Sequence, residues 1–396
     1  MRSTLARLVA LAATLTLTAA THAPPPEPEG GLLVGLADGR TLWLERSGDS
    51  MRVAWQGPQL VVPRRDGWWV VASAERCGLD IDQAHGGGGI GYDYAFVLRY
   101  QQLAIARAGT TVDITFGTAE PLMDCGDAAR AIDSVRAHKY RVALDSVRGD
   151  SSKVADIPPP GDASEPGMDC VESSETPTFV SATALSVASR YTQTEYCAPG
   201  GYATSGSNAV LRFGTDSSIA LRPMLTPAVR RKAERARKGD EENCAFKDTP
   251  ERLDDSWIVR RMKGRWVADL WMDGPNVCRG GSEYEMNLPL PRSFTGEPPL
   301  PAPWSALEKA HPGLTDASAS PSGAFVMLRD ADSLVVHRLR AGRVAEALVR
   351  VGGLAYMDVV MLRWATPAEA ARWSRELPAI VPPTVRLVDG CPGCDQ

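Results

Sequence analysis

Short apolar runs separated by turn residues are the dominant pattern of this chain. In five places, two such runs flank a turn built from Asp, Gly, Ser or Lys. The five pairs are residues 32–36 with 41–44, 60–62 with 68–71, 210–213 with 219–221, 257–262 with 265–271, and 325–328 with 334–339. Turn residues between β-branched or aromatic runs are the main sequence signal of a hairpin, so we predict five antiparallel β-hairpins.

Further strand-like segments lie between these hairpins. In residues 92–99, aromatic and aliphatic positions alternate with other residues, and this period of two is typical of a half-buried strand. We also predict strands at residues 111–116, 140–144, 179–190 and 358–364. Residues 325–328 are apolar throughout, which predicts a strand that is buried on both faces.

Helical signals are few. Thr226 and the following proline form an N-cap and first helical position, and they predict a helix over residues 228–238. Thr366 and its proline repeat this pattern before residues 368–377, with Glu369 three positions after the cap. A short helix is expected at residues 305–310.

The hairpins can be assembled into the blades of a β-propeller, each of which is a four-stranded antiparallel sheet. We therefore predict a mainly β fold of antiparallel hairpins, propeller-like, with a few short helices. Two or more β-sandwich domains are the alternative, because the turns are unevenly spaced and no blade-specific motif recurs. Residues 149–177 and 289–303 are rich in proline and are predicted as loops or linkers within a β-rich region of residues 24–396.

The first residues predict export from the cell. Arg2 and Arg7 precede an apolar run over residues 8–20, and small residues follow it at positions 21–23. This order is typical of a secretory signal peptide, which we assign to residues 1–23. The apolar run is shorter than the about 20 residues of a membrane span. We therefore expect a periplasmic or extracellular protein with no transmembrane segment after cleavage.

The overall charge argues against one class of partner. The chain has 43 Lys and Arg residues against 48 Asp and Glu residues, for a net charge of −5. General nucleic-acid binding depends on clustered positive charge, so we expect no nucleic-acid partner.

An even number of cysteines after a signal peptide predicts disulfide bonds. The eight are Cys77, Cys125, Cys170, Cys197, Cys244, Cys278, Cys391 and Cys394. Sequential pairing is the simplest hypothesis and joins Cys77 to Cys125, Cys170 to Cys197, and Cys244 to Cys278. No helix can follow the C-x-x-C pair of Cys391 and Cys394, which favours a local disulfide or a metal-binding tail over a redox centre. We predict no metal site elsewhere.

Two groups of side chains are candidate binding residues. Trp68 and Trp69 are adjacent in a predicted strand and must point to opposite faces, so one of them is expected to offer an exposed aromatic contact to a carbohydrate or peptide. Arg231, Arg235 and Lys238 fall on one face of a predicted helix, where they can contact an anionic partner. The alternatives are core packing for the tryptophans and a solvated surface for the basic helix.

No catalytic or cofactor motif is present. The chain lacks a nucleophile elbow, an H-E-x-x-H sequence and an EF-hand loop, so catalytic residues stay unassigned and no cofactor is predicted. We expect a ligand- or protein-binding module of the periplasm or cell envelope, with a protein or carbohydrate as its partner. The alternative is a secreted hydrolase whose catalytic carboxylates lie far apart in sequence and are brought together by folding.

Overall fold

The computed structural model of the protein describes residues 28–81, 95–114, 122–146, 169–193, 203–213, 215, 217–243, 257–271 and 283–387. The predicted signal peptide lies outside these ranges. The described strands are β1 (Gly31–Leu36), β2 (Thr41–Ser47), β3 (Ser50–Gly57), β4 (Leu60–Arg64), β5 (Gly67–Ile81), β6 (Ala95–Arg107), β7 (Thr111–Ile114), β8 (Asp169–Val180), β9 (Ala184–Gln193), β10 (Ala203–Arg212), β11 (Trp257–Met262), β12 (Arg265–Trp271), β13 (Glu283–Pro289), β14 (Asp316–Ala319), β15 (Phe325–Arg329), β16 (Leu334–Arg340), β17 (Arg343–Val351), β18 (Val359–Ala365) and β19 (Thr384–Leu387). The described α-helices are α1 (Cys125–Ser146), α2 (Pro227–Asn243), α3 (Arg292–Thr295), α4 (Trp304–Ala310) and α5 (Pro367–Glu376), and short 3₁₀ turns occupy Arg222–Met224 and Leu377–Ala379.

Four sheets stand in a ring, in the arrangement of a four-bladed β-propeller. We number them sheet 1 (β18-β1-β2-β3), sheet 2 (β10-β9-β8-β6-β5-β4), sheet 3 (β11-β12-β13) and sheet 4 (β14-β15-β16-β17). Neighbouring strands are antiparallel except for β6 and β8, which run parallel. A separate parallel pair joins β7 to β19. The predicted mainly β, propeller-like fold is confirmed.

The ring is closed by pairing strands from opposite ends of the described chain. β1 pairs antiparallel with β18, from Gly31 opposite Ala365 to Leu36 opposite Val359. This closure protects β1 from acting as an exposed sheet edge.

β1 shows how the alternation of side chains builds the core. Leu33 packs with residues of sheet 2, including Leu60 and Val70. Leu32 and Val34 point to the other face and pack in a cluster with sheet 4. Both faces of the strand are therefore buried, because successive side chains alternate and each face meets a neighbouring sheet.

Sheet 4 shows the burial on both faces that its apolar sequence predicts. Every residue of β15 is buried. Phe325 and Met327 pack toward sheet 1. Val326 and Leu328 pack in a different cluster, with Leu307 of α4. The all-apolar run at residues 325–328 therefore predicts its environment correctly.

Four of the five predicted hairpins are confirmed, as β1–β2, β4–β5, β11–β12 and β15–β16. The hairpin of residues 210–213 and 219–221 is only partly formed: β10 ends at Arg212, Ser218 bridges Leu211, and the Ile219 amide donates to the Val210 carbonyl at 2.7 Å. Residues 179–190, predicted as one strand, are two strands joined by a turn. In this turn the Ser181 hydroxyl accepts a hydrogen bond from the Ala184 amide at 3.0 Å.

The predicted strand at residues 140–144 is wrong, since these residues lie in helix α1. Tyr and Val favour strands mainly when the strand packs against other elements. The flanking Ala, Arg and Lys residues favour a helix, and their propensity decides the local structure here.

The first proline-rich segment is not entirely a loop. β8 begins at Asp169, so residues 169–177 belong to a strand inside sheet 2, while residues 149–168 lie outside the described residues. Pro177 is accommodated because the register between β8 and β9 shifts between Pro177 and Phe179. Such a bulge is one of the few places where a sheet tolerates proline. Residues 289–303 include the end of β13 and helix α3.

The predicted helices are present with small changes at their ends. α2 starts at Pro227, as its Thr-Pro signal predicts. α5 carries a complete capping box, in which Thr366 Oγ1 accepts from the Glu369 amide at 3.3 Å and Glu369 Oε2 accepts from the Thr366 amide at 3.0 Å. None of the helices in the described part of the chain has the length and apolar content needed to cross a bilayer.

The predicted pairing of Cys77 with Cys125 is confirmed. Their sulfur atoms are 2.20 Å apart, and the bond joins β5 to the first residue of α1. The side chains of the other six cysteines lie outside the described residues, so their predicted pairings stay predictions: Cys170, Cys197, Cys244, Cys278, Cys391 and Cys394.

Candidate functional site

A cavity of about 630 Å³ opens where strands from all four sheets meet. Its walls include Thr176 of β8, Ile258 of β11, Asp316 of β14 and Val359 of β18. We call it the central cavity. Because each sheet contributes a wall, the shape of the cavity depends on the whole ring rather than on one loop.

One wall of the central cavity is polar, and its composition follows from strand register. In sheet 2, Thr176 pairs with Ala188, which pairs with Asn208, and Ser174 pairs with Arg190. Paired residues share a face, and so do residues two positions apart on one strand. Ser174, Thr176, Arg190 and Asn208 therefore lie on one face, which we call the polar wall, and all four line the cavity.

Four arginines line the central cavity, and two of them are neutralised by buried carboxylates. Arg260 donates to Asp269, whose side chain is fully buried. Arg261 donates to Asp316 through Nε and to both carboxylate oxygens of Glu297, at 2.8 and 2.9 Å. Carboxylates of the protein therefore already bind these two guanidinium groups.

Arg261, Asp316 and Glu297 form a buried charged cluster, the Arg261 cluster. The guanidinium carbon stands 4.7 Å from the centre of the Trp266 ring, and Nη2 donates to the Ala317 carbonyl at 2.7 Å. Burial alone lowers the pKa of Arg261, but the charges of Asp316 and Glu297 raise it to a net value above the usual one. This guanidinium therefore stays charged at any pH at which the protein is folded.

The Arg261 cluster separates two cavities. Arg261 and Asp316 line the central cavity, whereas Glu297 lines a second cavity of about 340 Å³ with aromatic walls that include Phe179 and Trp266. The second cavity lies near the C-terminal ends of β8 and β18, whereas earlier residues of both strands line the central cavity. The centre of the ring is thus divided into two compartments.

The other two arginines of the central cavity donate no hydrogen bond to a carboxylate within the described part of the chain. Arg329 has a side chain that is only 10% exposed, and among the described residues its ion-pair partner is Asp358, whose Oδ1 is 3.9 Å away on a side chain that is 89% exposed. Arg329 Nη2 donates instead to the carbonyls of Met357 and Leu354. Arg190 is exposed at the cavity and forms no salt bridge within the described part of the chain.

Two buried donors beside the central cavity lack a hydrogen-bond acceptor among the described residues. They are Nε of Arg329 and Nδ2 of Asn208. The two residues are 8% and 6% exposed. Buried donors without an acceptor also occur away from this cavity, at Nε1 of Trp304, Trp364 and Trp373, so these two atoms do not by themselves mark a ligand site.

The carboxylates of the central cavity do not form a free acid–base pair among the described residues. Both oxygens of Asp316 are engaged, Oδ2 by Arg261 and Oδ1 by the Gly264 amide at 3.2 Å. The other carboxylate, Asp358, is solvent-exposed at the rim. The hydrolase alternative therefore finds little support at this position.

A side cavity of about 510 Å³ holds a different carboxyl group, Glu175. Its Oε2 accepts from the Leu103 amide at 2.8 Å. Burial raises the pKa of Glu175, and this hydrogen bond lowers it by less, so the net shift is upward. Asp38 lines the same cavity and is bound to Arg40 at 2.5 Å. Sequence reasoning missed Glu175, because it lies inside the segment predicted as a loop.

The tryptophan prediction is correct about direction, and the proposed role of Trp68 or Trp69 in binding stays a prediction. Trp68 and Trp69 point to opposite faces of β5, but both are half-buried. Trp68 packs its ring edge-on against Trp373 at 5.8 Å and donates from Nε1 to Glu376 at 2.7 Å. Trp69 packs against Phe213 at 5.7 Å. Trp68 also lines an open surface pocket of about 370 Å³ beside Glu376 and Ile380, and neither tryptophan lines the central cavity.

The basic residues of helix α2 also lie away from the central cavity. Arg231 and Arg235 are exposed, and Arg235 Nε donates to the Arg231 carbonyl at 3.1 Å. The Lys238 side chain lies outside the described residues. The structure does not bring this surface together with any cavity described above, and its role in binding stays a prediction.

Sequence reasoning missed the main residues of the candidate site, which are Arg190, Asn208 and Arg329. The only local signal was Arg329 itself, a charged residue that directly follows the all-apolar run at residues 325–328. Among the described residues, no three His, Cys, Asp or Glu side chains come together as a metal site would require. Comparison with models of protein families gives no match, and comparison with curated proteins gives no significant match.

Proposed function

We propose that this protein is a binding module of the periplasm or cell envelope and that its ligand, a small polar molecule, occupies the central cavity. The observation that carries the proposal is the polar wall, which presents hydroxyl, amide and guanidinium groups to one cavity. The cavity volume of about 630 Å³ falls within the roughly 300–1,000 Å³ common for small-molecule sites. A few placed polar groups in such a cavity give orientation and specificity.

The alternative proposal is a secreted hydrolase, and Glu175 is the residue that favours it. A carboxyl group with a raised pKa in a cavity that also holds an ion-paired carboxylate suits general acid catalysis. We place it second because the central cavity, unlike the side cavity, is lined by strands of all four sheets and carries the polar wall. The two functions are told apart by product formation: a binding module returns its ligand unchanged.

Export is supported by two independent observations. The first is the cationic and apolar pattern of residues 1–23. The second is the Cys77–Cys125 disulfide, since such bonds persist in oxidising compartments.

A non-reducing peptide map of protein purified from its own cells tests the compartment. We expect one linked peptide pair that contains Cys77 and Cys125, because an oxidising compartment maintains this bond. The same map of the reduced protein, which must release the two peptides separately, is the control. Eight free thiols in protein taken directly from the cell envelope would contradict the proposal of export.

Blocking the central cavity tests the proposed function. Ala188 lies between Thr176 and Asn208 in the polar wall, so Ala188→Trp places an indole in the ligand's space. A panel of sugars, sugar acids, amino acids and nucleotides is screened by thermal unfolding. A ligand at 100 times its Kd stabilises the wild type by about 2.7 kcal/mol, and we expect Ala188→Trp to abolish this gain.

The matched control is Ala228→Trp, which makes the same change at an exposed position on α2. It must retain the full response to each stabilising compound. Circular dichroism confirms that both variants are folded before the comparison is made. An Ala188→Trp protein that is folded and still responds as the wild type does would remove the central cavity as the binding site.

A further inference from the structure

We infer that the ligand of the central cavity is a neutral carbohydrate and that Tyr356, on the turn between β17 and β18, packs against one of its sugar rings. This inference rests on the proposed function, because it names the class of ligand for the same cavity. Two independent features support it: the turn that carries Tyr356, and the balance of charge around the cavity.

Tyr356 projects from a tight turn at the rim of the central cavity. The Met357 amide donates to the Leu354 carbonyl at 3.2 Å, which closes a four-residue turn with Tyr356 in its third position. Asp358, two residues after Tyr356, lines the cavity. Since consecutive Cα atoms are about 3.8 Å apart, the Cα atoms of Tyr356 and Asp358 are separated by at most about 7.6 Å.

The backbone of this turn is anchored to the ring of sheets. Arg329, which lines the cavity, donates from Nη2 to the carbonyls of Leu354 and Met357, on either side of Tyr356. The Leu354 side chain is buried, and its amide donates to the Asp332 carbonyl at 3.0 Å. The neighbours of Tyr356 therefore fix its position, and its own side chain is not needed to hold the turn.

Neither packing nor turn chemistry explains a tyrosine at this position. Tyr356 is fully exposed, more than any other large hydrophobic residue in the described part of the chain. Its φ of 61° lies in the left-handed region, which glycine or asparagine normally supplies at the third position of such a turn. An aromatic residue here adds backbone strain and gains no packing in return. We therefore assign its ring to a contact with a bound molecule.

The charges around the central cavity do not call for an ionic ligand. Its four arginines are balanced by four carboxylates that lie beside three of them, which are Asp269, Asp316, Glu297 and Asp358. The polar wall adds the uncharged hydroxyl groups of Ser174 and Thr176. A hydroxyl group both donates and accepts, so it pairs well with the hydroxyl groups of a sugar.

A carbohydrate has both of the surfaces that these features match. Its hydroxyl groups can pair with the polar wall, while the C–H face of a sugar ring can pack on the flat ring of Tyr356. Tyrosine suits such a contact, because its ring is rigid and amphipathic and loses little conformational entropy on binding. We expect a ligand of at least two sugar units, with one unit in the cavity and another at Tyr356.

The test screens the full mature chain on an array of neutral and charged glycans and measures the strongest hits by titration calorimetry in solution. We expect neutral glycans to bind, and an oligosaccharide to bind more tightly than its monosaccharide. Tyr356→Ala should weaken oligosaccharide binding about five- to tenfold, and Tyr356→Trp should restore it. The matched control is Val53→Ala, which removes an exposed apolar side chain from β3 and should leave the affinity unchanged.

Tyr356→Gly separates a binding role from a structural one. It removes the ring and relieves the left-handed backbone, so the urea midpoint should be equal to or higher than that of the wild type while oligosaccharide binding is weakened. A lower midpoint would mean that the ring stabilises the fold, and it would overturn the inference. Equal oligosaccharide affinity for wild type and Tyr356→Ala, or binding of charged glycans alone, would overturn it too.

The failure of this inference can be separated from the failure of the proposed function. If no neutral glycan binds, but amino acids or nucleotides stabilise the wild type and not Ala188→Trp, then the central cavity binds ligands and only the carbohydrate class is wrong. If a folded Ala188→Trp protein responds to every compound and glycan as the wild type does, then the cavity is not the binding site and both proposals fall.

Discussion

Replacing Trp373 with alanine is expected to lower the free energy of unfolding by about 3–5 kcal/mol, the range for truncating a buried aromatic side chain. Trp373 is fully buried between α5 and the sheets. Its ring meets Trp43 edge-on at 5.4 Å and Trp68 at 5.8 Å, and the Arg363 guanidinium stands 5.5 Å from its centre. The substitution removes all these contacts and leaves a large cavity. Urea denaturation at equilibrium measures the loss.

Trp373→Phe is the control for this prediction. It keeps an aromatic ring in the same place, so the loss should be clearly smaller than for alanine. A change below about 1 kcal/mol for Trp373→Ala is typical of a surface site and would mean that α5 does not pack against the ring as described.

Replacing Arg261 with alanine is expected to cost about 3–5 kcal/mol, because it leaves Asp316 and Glu297 as buried charges without a counter-ion. All three side chains are at most 10% exposed. The variant also loses the hydrogen bond to the Ala317 carbonyl and the contact with Trp266. The same denaturation experiment at pH 7 measures the cost.

Two further variants separate the charge effect from simple truncation. Arg372→Ala removes an exposed arginine that is 3.7 Å from Glu376, and it should change stability by no more than about 1 kcal/mol. The triple variant Arg261→Met, Asp316→Asn, Glu297→Gln removes the buried charges together and should recover a large part of the loss. Equal costs for Arg261→Ala and Arg372→Ala would contradict the buried cluster.

The local elements of this fold can be predicted from the sequence because their signals are local. The turn between β1 and β2, the Thr-Pro start of α2 and the capping box of α5 each depend on a few adjacent residues. The pairing of β1 with β18 cannot be predicted in this way, since it joins residues more than 300 positions apart. The number of sheets in the ring depends on such pairings.

The candidate site is harder to predict because no two of its main residues are close in sequence. Arg190, Asn208 and Arg329 come from β9, β10 and β15, and each looks like an ordinary strand residue. Only the register of sheet 2 places Arg190 and Asn208 on one face. Trp68 and Trp69 are more visible candidates in the sequence, but they pack against Trp373 and Phe213 and lie away from the central cavity.

A crystal structure with the compound that stabilises the protein most tests the central claim most directly. We predict that this compound lies in the central cavity against the polar wall formed by Ser174, Thr176, Arg190 and Asn208. A compound bound in the side cavity next to Glu175, or on the surface of α2, with the central cavity empty of it would contradict the account.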